Sequence, residues 1–111
     1  MAEVITLGRR LPVLEDGRMT VPEEPGDYCG PTSAYTGGLP AVFFLKPNAR
    51  DDDAPPCARS VQHVTSPPHV FRECDDGSLE IRASIGDTAR GRPESDGWHG
   101  FLDEGHVWRQ V

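Results

Sequence analysis

Apolar and polar side chains alternate most regularly in residues 79–85. Every second residue there is apolar, and the residues between are polar or charged, which predicts a β-strand with one buried face. The preceding Asp75-Asp76-Gly77 suits a three-residue hairpin loop, because glycine readily adopts the left-handed conformation that closes it. The register set by this loop gives two favourable cross-strand pairs, one apolar and one of opposite charge: Phe71 with Ile81, and Arg72 with Glu80.

A second hairpin is predicted at the end of the chain. Segments 98–102 and 106–110 are rich in aromatic residues and valine, which favour pleated strands. They flank Asp103-Glu104-Gly105, another acidic pair followed by glycine. Between the two hairpins, residues 86–97 contain glycine, proline, aspartate, serine and arginine and almost nothing apolar. This composition predicts a long surface loop.

The first 65 residues are expected to be irregular around one central strand, placed at residues 41–46. Five consecutive apolar residues begin this segment, and prolines bound it, which predicts a strand buried on both faces. Segment 22–40 is interpreted as a long loop, because its prolines and glycines would interrupt a sheet. Shorter strands are predicted at four further places: 3–7, 11–14 and 19–21 as a hairpin, and 60–64.

These patterns predict one all-β domain over residues 1–111. Its N-terminal half, 1–65, is irregular around the central strand, and residues 66–111 form a two-hairpin module. We expect a small antiparallel β-sandwich or a partly open barrel with long loops rich in proline and glycine, and this chain length suits a single domain. The side chains predicted to be buried are Val42, Phe44, Phe71, Ile81, Ile85 and Trp98.

The charge of the chain limits its partners. The formal net charge is −7, which argues against nucleic acid and anionic membranes as partners, because both attract basic surfaces. No segment approaches the ~20 apolar residues of a membrane span, and no secretory signal is recognisable at the start. We therefore expect a cytoplasmic protein whose three cysteines are free or metal-bound thiols. One lysine among eleven cationic residues is typical of a GC-rich genome, such as that of an actinobacterium or one of its phages.

The last third of the chain resembles a small family of uncharacterised bacterial and phage proteins. The matching residues are Arg82-Ala83-Ser84-Ile85 at a strand end, Trp98-His99-Gly100-Phe101 after a variable loop, and Asp103-Glu104-Gly105 in the next turn. Some members accompany ubiquitin-like conjugation genes in bacteria, and the BubE-type members are thought to be serine peptidases. The resemblance covers residues 66–111. Ala83 stands where proline is common in the family, and the Cys-x-x-Cys-Gly cluster of many members has no counterpart in this sequence.

The resemblance implies that Ser84 is a nucleophile and that His99 is its base. A serine hydroxyl attacks a carbonyl readily only when a base within hydrogen-bonding reach removes its proton, and a third group usually orients that base. Ser84 lies on the polar face of its predicted strand, and His99 begins the strand that returns from the loop. Asp96 or Asp103 would orient the imidazole. The expected function is a small peptidase-like serine hydrolase.

The alternative is a protein-binding module on the same β fold without catalysis, either phage-encoded or accessory to another protein. Trp98 and Trp108 lie on neighbouring predicted strands, so that one of them could line a groove while the other packs in the core. Such a groove, with His69 nearby, would suit an extended peptide added to a sheet edge. Under either hypothesis the expected partner is a protein or a peptide.

A zinc site is a further hypothesis. Four residues of types that zinc prefers occur in one segment: Cys57, His63, His69 and Cys74. No two of them have the two-residue separation of a zinc knuckle, and strand alternation would place His69 and Cys74 on opposite faces. A non-local pair of Cys29 with Cys57 is another possible arrangement. Packed cysteines are the favoured interpretation, and no cofactor is expected.

Overall fold

The computed structural model describes residues 4–47, 61–87 and 98–110. Strands and turns make up these ranges, and they contain no helix, so that the predicted all-β class is confirmed. The strands in the described ranges are, in chain order, β1 (Val4–Leu7), β2 (Arg9–Leu11), β3 (Asp27–Thr32), β4 (Ala41–Leu45), β5 (Val61–Thr65), β6 (Val70–Glu73), β7 (Leu79–Asp87), β8 (Trp98–Asp103) and β9 (Val107–Gln110).

The strands form two sheets that share one core. The five-stranded sheet has the order β1-β9-β8-β7-β6, and the four-stranded sheet has the order β2-β3-β4-β5. Buried side chains from both sheets pack in a single cluster: Tyr28, Val42, Phe44, Leu79, Ile81, Ile85, Leu102 and Trp108. The architecture is therefore a small β-sandwich that is not closed into a barrel.

The register predicted for the first hairpin is confirmed. Phe71 pairs with Ile81 and Arg72 pairs with Glu80 in the β6–β7 ladder. The guanidinium of Arg72 donates two hydrogen bonds to the Glu80 carboxylate, of 3.2 and 3.1 Å. These hydrogen bonds lower the pKa of Glu80, and the charges of Arg72 and Arg82 act in the same direction. Glu80 is therefore ionised in the folded protein at neutral pH.

The prediction that segment 22–40 is a loop is wrong, because β3 lies within it. Tyr28 and Cys29 are fully buried on this strand, which lies between β2 and β4. The β3–β4 ladder shifts register between Cys29 and Thr32, so that the irregularity accommodates Pro31 within a buried strand. Gly30 is needed at its position, because a Cβ atom there would lie only 2.7 Å from the carbonyl oxygen of Ala41 on the neighbouring strand. Tertiary packing thus outweighs the local preference of proline and glycine for loops.

The pairing of β2 also differs from the sequence prediction. β2 runs parallel to β3, whereas an antiparallel arrangement was expected throughout. The predicted hairpin of 11–14 with 19–21 is reduced to one antiparallel bridge, between Val13 and Met19. Parallel pairing is possible because a connection of fifteen residues, 12–26, separates β2 from β3, which is long enough for the chain to return to the same end of the sheet.

The predicted core is largely confirmed. Val42, Phe44, Ile81 and Ile85 are at most 1% exposed, and Phe71 is half-buried against the core cluster. The side chain of Trp98 is outside the described set. The central strand β4 is buried along its whole length. No helix among the described residues is long and apolar enough to cross a membrane.

The N-terminus and C-terminus of the described chain belong to the same sheet. β1 pairs with β9 in antiparallel register, so that the C-terminal hairpins are extended by a strand from the N-terminal half. The chain then passes to the other sheet at Gly8, whose amide donates a 2.7 Å hydrogen bond to the carbonyl of His106. A single residue, Gly8, thus joins a strand of one sheet to a strand of the other.

Candidate active site on the outer face of the five-stranded sheet

Ser84 and His99 form a hydrogen bond across β7 and β8. Their Oγ and Nε2 atoms are 3.0 Å apart. His99 pairs with Gly86 in the ladder, so that Ser84 is its diagonal neighbour, a relationship that long side chains can bridge. His99 is exposed and Ser84 is half-buried. The proximity that the catalytic hypothesis requires is therefore present in the structure.

The alternation of side chains along β7 sets the direction of Ser84, and a shift in the β7–β8 ladder does not change it. Ile81 pairs with Leu102 and Ile85 pairs with Gly100. An advance of four residues along β7 therefore corresponds to an advance of only two residues along β8. Because the shift is an even number of residues, Ile81 and Ile85 both remain buried. Ser84, the residue before Ile85, contacts His99 on the opposite side of the sheet. We call this solvent-facing side the outer face.

His69 holds the backbone of Ser84. Its Nε2 atom lies 3.2 Å from the carbonyl oxygen of Ser84. A carbonyl can only accept a hydrogen bond, so Nε2 of His69 carries a proton and donates it. The other ring nitrogen, Nδ1, is buried and has no hydrogen-bond partner among the described residues. His69, predicted as a binding or metal-ligating residue, therefore fixes the main chain that carries Ser84.

Asp103 does not orient His99, which corrects one of the two sequence predictions for this role. Its carboxylate accepts 3.0 Å hydrogen bonds from Arg82 and from Arg109. Asp103 lies at the other end of β8 from His99, four residues along the strand, which is too far for a side-chain contact. The second candidate, Asp96, lies outside the described residues. Within the described ranges, no carboxylate is hydrogen-bonded to His99.

An aromatic ring flanked by arginines adjoins the Ser84–His99 pair. Phe101 lies two residues after His99 on β8, so that both project from the same face. The guanidinium carbon of Arg109 is 4.6 Å from the centroid of the Phe101 ring, and that of Arg82 is 6.0 Å from it. Arg82, Phe101 and Arg109 were not predicted from the sequence as site residues. The available signal was the spacing of two residues between Arg82 and Ser84 and between Phe101 and His99, whereas Arg109 reaches the site as the cross-strand partner of Phe101.

Trp108 belongs to the core, which corrects its prediction as a binding residue. It is fully buried, and its Nε1 atom donates a 2.7 Å hydrogen bond to the carbonyl of Gly26. Its ring packs edge-on against Tyr28 at 6.0 Å between centroids. Trp108 therefore packs between the two sheets, and its side chain is not accessible to a ligand. The side chain of Trp98 is not among those that the structure describes, so that its predicted role in binding stays a prediction.

The described members of the proposed zinc set have different neighbours. The His63 ring packs against Phe43 in the four-stranded sheet, whereas His69 contacts Ser84. Cys74 is buried, and its thiol lies 3.8 Å from the carbonyl of Arg72. Cys57 is outside the described residues. No group of three potential metal ligands occurs in the described part of the chain. The described members of the set therefore do not form a zinc site with one another.

A separate open cleft of about 480 Å³ lies beside β2, with Arg10 and His106 among its lining residues. Arg10 donates to both carboxylate oxygens of Glu73, at 2.6 and 2.7 Å. It also donates to the carbonyls of Gly30 and Gly77. Because these protein groups already surround the guanidinium, Arg10 serves to connect β2, β3 and the first hairpin. The cleft shares no lining residue with the Ser84–His99 site.

Comparisons of the chain with protein-family models, with curated proteins and with solved structures found no match. The resemblance to the family with BubE-type members therefore stays a prediction. The feature of the molecule that bears on function is the Ser84–His99 hydrogen bond on an exposed sheet face.

Proposed function

We propose that this protein is a small serine hydrolase of peptidase type, with Ser84 as nucleophile and His99 as general base. The observation that carries the proposal is the 3.0 Å separation of Ser84 Oγ and His99 Nε2. An imidazole at this distance can accept the hydroxyl proton while the oxygen attacks a carbonyl carbon. Because the pair lies on the outer face rather than in the core, a substrate can approach it.

The proposed reaction has two acyl-transfer steps. In the first, His99 takes the Ser84 proton as Oγ bonds to the substrate carbonyl carbon, and the same proton then passes to the leaving group as its bond breaks. In the second, His99 removes a proton from water as the water oxygen bonds to the acyl carbon, and it returns this proton to Oγ of Ser84 as the bond between the acyl carbon and Oγ breaks. The backbone amide of Ile85 or of Gly86 is the candidate donor to the negatively charged carbonyl oxygen, and only one of them can serve, because successive amides of a strand point in opposite directions.

His69 supports this arrangement by restraining the serine backbone. A nucleophile that moves by about 1 Å loses much of its reactivity, and the hydrogen bond from His69 limits such movement at residue 84. Asp103 is bound to arginines and does not orient His99, and Asp96, the other candidate from the sequence, lies outside the described residues.

A fluorophosphonate probe tests the proposal directly. The probe should label Ser84 in the native protein and should not label Ser84→Ala, and His99→Ala should reduce the labelling rate by at least about 100-fold, as expected for loss of a general base. Ser33→Ala and His63→Ala, which change exposed residues elsewhere, are the matched controls. Absence of labelling at Ser84 in a folded wild-type protein would refute the enzyme hypothesis.

A non-catalytic binding module is the second candidate, and the exposed edge residues of β1 favour it. Ile5 is 48% exposed and Leu7 is 73% exposed, and both lie on the last strand of the five-stranded sheet. An edge strand with exposed apolar side chains can pair with an extended peptide. Selection from a displayed random-peptide library, with Leu7→Asp as the negative control, tests this candidate. Binding that persists in Leu7→Asp would exclude β1 as the binding edge.

A further inference from the structure

We infer that the Ser84–His99 site accepts substrates with a carboxylate group close to the carbonyl that is attacked, and that Arg82 binds this carboxylate. The inference rests on the proposed hydrolase function and specifies its substrate class. Its basis is the arrangement of charged side chains around Phe101, next to the serine–histidine pair.

Arg82 lies on the same outer face as Ser84. Its Nη1 atom donates a 3.0 Å hydrogen bond to Asp103, and Asp103 projects from the same side of β8 as His99 and Phe101, since these residues are spaced by two. Alternate residues of a strand are roughly 7 Å apart. A substrate whose carbonyl is at Ser84 can therefore bring a neighbouring side chain to Arg82.

The guanidinium of Arg82 is accessible. The Arg82 side chain is 46% exposed. In its described ion pairs, Nη1 lies 3.0 Å from the carboxylate of Asp103 and Nη2 lies 3.1 Å from that of Glu80. A guanidinium has five N–H groups, so these contacts leave others for a ligand. The planar arrangement of these groups matches the two oxygens of a carboxylate.

The charge balance of this surface favours an anion. Three arginines alternate with two carboxylates in one network of ion pairs, in the order Arg72, Glu80, Arg82, Asp103 and Arg109. Within the described ranges, the network thus contains three guanidinium groups and two carboxylates, in a chain whose net charge is −7. Cationic substrates would meet guanidinium groups here, whereas a carboxylate would be attracted. Phe101 provides an apolar surface for the methylene groups that connect the carboxylate to the substrate backbone.

The test compares p-nitrophenyl esters that differ only in charge. Acetyl-X and acetyl-X-alanyl esters, with X as glutamate, glutamine or lysine, place the side chain next to the reacting carbonyl or one residue away. We expect kcat/KM for glutamate to exceed that for glutamine by about tenfold or more in one of the two series, as for one charge-assisted hydrogen bond. We expect lysine to be the poorest substrate. A glutamate-to-glutamine ratio near one in both series would overturn the inference.

Variants assign the selectivity to Arg82. Arg82→Gln should lower the glutamate-to-glutamine ratio at least fivefold, and Arg82→Lys should restore part of it, because lysine keeps the charge without the planar pair of donors. Arg18→Gln, which removes an exposed ion pair with Asp16, should leave the ratio unchanged. If Arg82→Gln fails to fold, salt provides an independent measurement. The wild-type ratio should then fall as ionic strength rises, and a ratio insensitive to salt would contradict the inference.

The two hypotheses fail in distinguishable ways. Ester hydrolysis that survives in Ser84→Ala, or that is absent from the folded wild type, refutes the hydrolase proposal and the inference with it. Hydrolysis that depends on Ser84 but shows no preference for glutamate refutes only the role of Arg82.

Discussion

The hydroxyl of Tyr28, on the four-stranded sheet, lies 2.6 Å from Nδ1 of His106, in a turn that joins two strands of the five-stranded sheet. Tyr28 is fully buried on β3, whereas His106 lies in the turn between β8 and β9 with a positive φ of 61°. The same hydroxyl accepts a 3.2 Å hydrogen bond from the amide of Leu79 on β7. One phenol group therefore connects the four-stranded sheet to both C-terminal hairpins.

Tyr28→Phe should destabilise the protein by about 1–3 kcal/mol at neutral pH, because a buried amide and a half-buried imidazole lose their partner. Tyr35→Phe, which removes a hydroxyl from a side chain that is 48% exposed, is the matched control and should cost less. Urea denaturation measures both. Equal losses for the two variants would contradict the connecting role of Tyr28.

Alkaline pH should weaken the fold through the same residue. Burial raises the pKa of Tyr28 to about 12, above its value of about 10 in the unfolded chain. A pKa raised by folding contributes to the free energy of unfolding. This contribution is complete below pH ~10 and is lost as pH rises towards 12. The free energy of unfolding should therefore fall more steeply between pH 10 and 12 for the wild type than for Tyr28→Phe. Parallel curves would show that Tyr28 is not the responsible group.

Phe44→Ala should cost about 3–5 kcal/mol, much of the stability of a domain of this size. Phe44 is 1% exposed, and its ring lies 5.2 Å from that of Trp108, so that its removal leaves a cavity between the sheets. Leu39→Ala, at a position that is 46% exposed, should change stability by at most about 0.5 kcal/mol. A melting temperature of Phe44→Ala close to that of the control would refute the central position of β4.

Gly8→Ala should be strongly destabilising although the substitution adds one methyl group. That carbon would lie 2.7 Å from Nε1 of Trp108 and even closer to the carbonyl oxygen of Gly26, two atoms that are hydrogen-bonded to each other. We expect a loss of about 1–3 kcal/mol from overpacking. At Gly37 an added carbon meets nothing within 4 Å, and only its φ of 67° disfavours alanine. Thermal denaturation should show a larger loss for Gly8→Ala, and the reverse order would contradict the close approach.

Asp27→Asn should destabilise the protein at neutral pH but not in acid. Burial alone would raise the pKa of Asp27, but hydrogen bonds from Arg9 and from the amides of Glu24 and Glu23 outweigh burial and lower it. A lowered pKa gives stability that is present above the unfolded value of 3.8 and is lost as pH falls through the folded value. Wild type and variant should therefore differ by about 1–3 kcal/mol at pH 7 and converge in acid.

Urea denaturation over a range of pH measures this convergence. Asp16→Asn, which breaks an exposed pair with Arg18, is the control for loss of one surface carboxylate. A difference between wild type and Asp27→Asn that persists unchanged in acid would show that the ionised form of Asp27 is not the stabilising one.

Local patterns in the sequence were sufficient for the register of the first C-terminal hairpin and for the buried strand β4. They also predicted the second hairpin, but its turn lies one residue later than predicted, because Asp103 pairs with Val107. The alternation at 79–85 and the glycine turns specify which residues oppose each other, because a hairpin register depends only on the loop and its two strands. The pairing of Phe71 with Ile81 follows from these rules. The polar face of β7, and hence the outward direction of Ser84, followed from the same alternation.

The tertiary structure alone decided the contacts between distant segments. β3 is a strand because β2 and β4 pair with it, whereas its own proline and glycine indicate a loop. Asp103 is bound to Arg82 and Arg109 rather than to His99, since the order of strands in the sheet brings the arginines to it. The 3.0 Å contact of Ser84 with His99 likewise depends on the pairing of β7 with β8, two strands separated in sequence by residues 88–97. Local patterns determine which side of a strand is polar, but packing energies summed over the whole core determine which polar side chains meet.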